Sequence, residues 1–99
     1  MIAKKYRWSR VYESAEEELM DYLEDKHITA LRHQMDDYDT QPLDTSTTTH
    51  IWGVEGMASF AIDGKTFSIQ PGDALDIPAK AVCNITTSLN TFAWYESRD

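Results

Sequence analysis

The chain has 99 residues, 41% hydrophobic, 26% charged and 11% aromatic, an ordinary globular composition with room for one domain, small enough that oligomerisation is a plausible way to hide more apolar area. Seventeen Asp and Glu against nine Lys and Arg give a formal net charge of −8 with neutral histidines, which repels phosphate backbones and anionic lipid, so neither nucleic acid nor a membrane is an expected partner. No apolar run reaches the ~18–20 residues of a membrane span, the start Met1-Ile2-Ala3-Lys4-Lys5-Tyr6-Arg7-Trp8 lacks the apolar stretch of an export signal, and the lone Cys83 excludes an internal disulfide and a thiolate-rich zinc site; a cytoplasmic protein is expected.

Residues 1–13 read as an N-terminal arm. Lys4, Lys5, Arg7 and Arg10 make its first ten residues basic, whereas residues 13–39 hold ten acids against Lys26 and Arg32. A solvated acidic face is the plain reading; a contact between arm and body, within or between subunits, is the sharper one. Ser14-Ala15-Glu16-Glu17 is a capping-box pattern. It predicts a helix over 15–26, within a segment 14–27 that packs Leu19, Met20, Tyr22 and Leu23 on the body of the domain. His27 at its end suits a capping role.

From residue 28 to 99 the pattern turns to short β-branched and aromatic runs, with strands expected over 28–35, 45–54, 57–62, 65–69, 73–77, 82–87 and 91–96. The punctuation is Pro42, Gly56, Asp63-Gly64, Pro71-Gly72 and Pro78. Asp63-Gly64, flanked by Ser59-Phe60-Ala61-Ile62 and Thr66-Phe67-Ser68-Ile69, marks a tight hairpin because both turn positions need positive φ. The run Thr45-Ser46-Thr47-Thr48-Thr49 fits an extended segment, since threonine favours strands. Many short strands with regular turns suggest a sandwich or barrel.

The order Gly56, Asp63-Gly64 hairpin, Pro71-Gly72-Asp73 turn and Ile77-Pro78 corner, with five residues between Gly72 and Pro78, resembles the cupin family over about residues 49–87. The resemblance implies a mainly β fold, the cupin double-stranded β-helix or jelly-roll barrel, with one short N-terminal helix. Metal-binding members carry two histidines and a glutamate in the first motif and a third histidine in the second. Carried onto this sequence, the glutamate position falls on Thr49, the two histidines on Thr45 and Leu43, and the third on Cys83. Moving the spacer by one residue gives Asp44 and Pro42 and does not restore the pair. In the second motif Lys80 stands for a glycine and Thr87 for an asparagine. No metal and no cofactor are expected.

Other residues offer little replacement. His50 lies next to Thr49 and so points to the opposite face. His33 shares parity with Leu31 and Met35, which predicts a buried orientation and makes it the one histidine expected to face a cavity. Cys83 reads as a small core hydrophobe more readily than as a nucleophile, although Lys80 lies nearby. Thr45, Thr47, Thr49, Ile51 and Gly53 share one parity, which the motif marks as inward; Phe92 and Trp94 share a face, and Ala93 and Tyr95 the other. The ligand-pocket candidates are therefore His33, Leu43, Thr45, Thr49, Ile51, Cys83, Phe92 and Trp94, with core filling the leading role for the aromatics.

Two functions compete. One is a metal-free module that binds a small organic ligand or serves in assembly. The other is a metal-independent isomerase or epimerase acting on a sugar-like substrate, with His33 as acid/base and Tyr95, Tyr22 or Tyr38 as the acid. A homodimer is the expected partner state.

Overall fold

In the computed structural model, which describes residues 2–9 and 16–98, the chain runs β1 (Lys4–Arg7), α1 (Glu16–Asp25), β2 (Leu31–Met35), β3 (Thr40–Leu43), β4 (Thr49–Glu55), β5 (Ala58–Ile62), β6 (Lys65–Ile69), β7 (Asp73–Ile77), β8 (Cys83–Thr87) and β9 (Phe92–Arg98). The strands form a five-stranded sheet, β1-β7-β4-β9-β2, and a four-stranded sheet, β3-β8-β5-β6. All pairings are antiparallel. Among the described residues no helix is long and apolar enough to cross a membrane.

Strand alternation divides the apolar residues into two cores. Inward-facing side chains of both sheets, with Phe60, Phe92, Ile51, Leu75 and Ile85 among them, fill the space between the sheets. Outward-facing Trp52, Val54, Ala74, Ala93 and Tyr95 pack under Leu19 and Leu23 of α1. The amphipathic stripe read from the sequence thus buries Leu19 and Leu23, while Met20 on the other side is exposed.

The helix ends in a Schellman motif: the Ile28 amide donates to Leu23 O and the His27 amide to Glu24 O, with His27 at φ 57 in the left-handed position. Ile28 closes the motif by packing, like Leu23, on the outer core. The capping box at Ser14 lies outside the described residues. At the hairpin, Asp63 and Gly64 take φ values of 49 and 86, as the two-residue turn requires.

Two strands depart from the sequence reading. Lys4–Arg7, read as an arm, is a strand of the same chain's sheet, with Lys4 opposite Asp76 and Arg7 opposite Asp73. Its cations meet Asp73: Arg7 Nη1 lies 2.9 Å from Oδ1, and Lys5 Nζ lies 3.6 Å from Oδ2, which also accepts from the Gln70 amide. The aspartate of the Pro-Gly-Asp turn therefore fixes both the turn and the first strand. The second departure is β3, which contains Pro42, read as punctuation. A proline is tolerated there because β3 is an edge strand, where no ladder bond has to be donated outward. The strand expected over 45–54 begins only at Thr49, and Thr47 is exposed in a bend.

Candidate functional site

The interior between the sheets is packed with side chains. Phe60 and Phe92 are fully buried and meet edge to face, with centroids 5.9 Å apart. Phe92 stacks on Trp94 at 5.2 Å, and Trp94 stacks on His33 at 5.4 Å. An aromatic column therefore runs from the core to the open margin at β2. Thr49, Ile51 and Cys83 are buried beside it, and Leu43 packs against the same core from β3. Thr45 is buried off the strand, its hydroxyl donating to Ala81 O.

Five of the eight sequence-predicted pocket residues, Leu43, Ile51, Cys83, Phe92 and Trp94, are thus brought together as packing, and Thr45 and Thr49 are buried with their hydroxyls bonded to backbone. His33 is the exception and a correction to the buried orientation expected of it. Its parity is as predicted, since it stands opposite Trp94, but β2 is an edge strand whose inner face is buried only at its Met35 end, so His33 and Leu31 on that face are exposed. Among the described residues no carboxylate is hydrogen-bonded to its ring. At the same margin, Glu96 accepts from the Trp94 indole at 3.4 Å and from Arg98 at 2.6 and 2.8 Å.

Cys83 is inert by environment. Burial, followed by the nearby charges of Asp63 and Glu96, pushes its thiol up to about 11, so little thiolate forms at neutral pH.

The outer face carries a polar constellation that the sequence reading did not assemble. His50 and Asp76 stand opposite each other in the β4–β7 register, and His50 Nδ1 lies 2.8 Å from Asp76 Oδ1. The Tyr6 hydroxyl donates to the same carboxylate oxygen over a long 3.5 Å. Burial first, and then Asp76, raises the Tyr6 phenol to about 12. Parity did place His50 and Trp52 outside the barrel; what it lacked was the register that supplies Asp76 and the pairing of β1 that supplies Tyr6.

No family model matches the chain, and no curated protein matches it. Solved structures do. A DUF861 family protein from Thermotoga maritima is 15% identical, with a TM-score of 0.67 over 98% of this chain and 99% of that one. A Cupin 2 conserved barrel domain protein from Salinispora arenicola is 12% identical, with a TM-score of 0.63 over 95% of this chain and 71% of that one. The fold is that of a small cupin. The Cupin_2 domain of an XRE family transcriptional regulator from Enterobacter cloacae is similar as well, at 9% identity and a TM-score of 0.61 over 97% and 94% of the two chains.

Many cupins hold a divalent metal inside the barrel, and the side chains at the corresponding places here do not fit one. Thr49 donates its hydroxyl to Thr47 O and Thr45 donates to Ala81 O, Leu43 has no donor atom, and Cys83 is held as a neutral thiol. Divalent metals in such sites take imidazole or carboxylate ligands, whereas Thr45 and Thr49 present hydroxyls already in use.

Proposed function

We propose that this cupin is a metal-free binding and assembly module, working as a homodimer through its surface, with no chemistry performed inside the barrel. The observation that carries the reading is the filled interior, in which Phe60, Phe92, Ile51, Leu75 and Ile77 are fully buried where an enzyme would keep space for substrate. A second copy of the chain is the partner best suited to β2. That strand is one of the two edges of the five-stranded sheet, and unlike β1, whose Lys5 and Arg7 are tied to Asp73, it exposes an apolar side chain, Leu31 at 69%, beside a row of backbone groups ready to extend an antiparallel sheet. The single free thiol fits a reducing, cytoplasmic compartment. The isomerase reading has less support, because its base, His33, is exposed and lacks a carboxylate to set its tautomer.

Light scattering of the purified protein at micromolar concentration tests the proposal. The expected mass is that of a dimer, converted to a monomer by Leu31→Lys with the fold retained by circular dichroism. A monomer mass for the unaltered protein would overturn it.

A further inference from the structure

On the helix side of the five-stranded sheet lies a groove of about 240 Å³, walled by Tyr6, Tyr22 and Trp52 and holding His50 and Asp76. Trp52 is only 2% exposed. Among the described residues its indole Nε1 is the single buried side-chain polar atom with no hydrogen-bond partner. A buried unmade hydrogen bond is unfavourable enough that native proteins rarely keep one without a reason. The nearest acceptor is the Tyr6 hydroxyl, on whose phenol the indole N–H acts as a weak donor, but the contact does not reach hydrogen-bond geometry, and that hydroxyl is itself directed at Asp76 over the long 3.5 Å contact. Tyr6 stands on an edge strand, so its ring is the wall best placed to yield.

We propose that this groove binds a neutral sugar ring of monosaccharide size, whose hydroxyls accept from the Trp52 indole N–H and donate to the Asp76 carboxylate of the His50–Asp76 pair. The chemistry of the walls favours that class. Aromatic faces carry partial negative charge and attract the polarised C–H groups of a sugar. The polar groups mix donors and acceptors, as a ring of hydroxyls requires: the Trp52 indole and Tyr6 phenol donate, and Asp76 accepts. Tyr6 remains a protonated donor at neutral pH, since its phenol is raised to about 12. Among the described lining residues there is no Lys or Arg, and the net charge of −8 disfavours an anion. The volume falls below the roughly 300–1,000 Å³ of sites for drug-sized ligands, which limits the occupant to one ring. The site lies outside the barrel and does not depend on dimerisation.

The three tryptophans provide an internal control. The Trp8 indole donates to Asp73 O at 3.1 Å and the Trp94 indole to Glu96 at 3.4 Å, so among the three only Trp52 lacks a well-formed hydrogen bond. The experiment is a ¹⁵N NMR titration of the full chain with methyl glucoside, methyl galactoside and methyl mannoside, with glycerol and benzoate as controls. The indole signals are assigned from Trp8→Phe and Trp94→Phe variants. The expected result is a saturable downfield shift of the Trp52 indole proton by at least one glycoside, with a Kd on the order of 1 mM, while the Trp8 and Trp94 signals stay in place. Asp76→Asn should weaken that binding about tenfold or more and leave the amide spectrum folded; His50→Gln serves as the second variant. A Trp52 signal unmoved by all three glycosides, moved equally by glycerol, moved only by benzoate, or moved undiminished in both variants would overturn the proposal.

Discussion

The inner face of the five-stranded sheet meets a second sheet, whereas its outer face meets one helix of ten residues, and the difference decides where polar groups survive. Two stacked sheets present matching areas, so Phe60, Phe92 and Ile85 interdigitate and leave room for few polar groups, among them the Thr49 hydroxyl bonded to the backbone and, at the margin, Glu96 under the Trp94 indole. A helix is about 10–12 Å wide, and five strands about 4.8 Å apart span roughly 19 Å. It covers Val54 and Ala93 but leaves a margin, which Tyr6 of β1 only partly closes. His50, Asp76 and the unpartnered Trp52 indole lie along that margin. In this chain the outer margin, not the interior between the sheets, is where the His50–Asp76 pair lies.

The comparison breaks first at Phe92. Phe92→Ala leaves a cavity between Phe60 and Trp94 and should lower unfolding free energy by about 3–5 kcal/mol, a large share of the ~5–15 kcal/mol of a whole domain. Urea denaturation measures the loss, and labelling of Cys83 by a thiol reagent should accelerate in parallel. Leu19→Ala acts on the other face and should cost about 2–4 kcal/mol. If the two faces are separable, Cys83 stays protected in Leu19→Ala at urea concentrations that already expose it in Phe92→Ala; equal labelling in both would show a single cooperative core.

Asp73→Ala removes the 4% exposed carboxylate that receives Arg7, Lys5 and the Gln70 amide. It should cost about 1–2 kcal/mol, because the freed Arg7 can regain water. Loosening of β1 should appear as a red shift of Trp8 fluorescence.

The smallest effect lies at Glu16. The Tyr95 hydroxyl first, and Arg32 second, hold its carboxyl below the ordinary 4.5. A depressed carboxyl stabilises the fold above its unfolded pKa, and the contribution disappears as pH falls through the lower folded value. At 41% exposure it amounts to about 0.5 kcal/mol or less. Glu16→Gln should therefore flatten the stability profile below pH 4.5, and an unchanged profile would show that the Tyr95–Glu16 bond at 2.6 Å does not tie α1 to the sheet.

The fold was legible because its signals are local. Asp63-Gly64 needs only two residues to specify a turn, the Pro71-Gly72-Asp73 corner needs three, and a strand's parity survives small errors in its ends. Lys80 illustrates the same locality: it stands where the resemblance places a glycine, and it adopts the left-handed φ of 68 that a glycine takes most readily. Two strands were missed for want of local signal. Lys4–Arg7 is too short and charged to read as a strand, and Pro42 in β3 argues against one unless its edge position is known.

The site was less legible, and His33 and His50 explain why. Parity assigned both side chains to the correct face of the sheet. Whether a face is covered depends on which strand lies at the edge, and that follows from strand order, which is long-range. His33 thus went from an expected cavity lining to an exposed ring on Trp94, and His50 from an unremarkable surface residue to the partner of Asp76 from a strand more than twenty residues away. By itself, the sequence determined the turns and the alternation, because each is written in neighbouring residues. Only the tertiary structure decided that the barrel is filled and that the outer groove exists, because both depend on which side chains register and packing bring to the same volume.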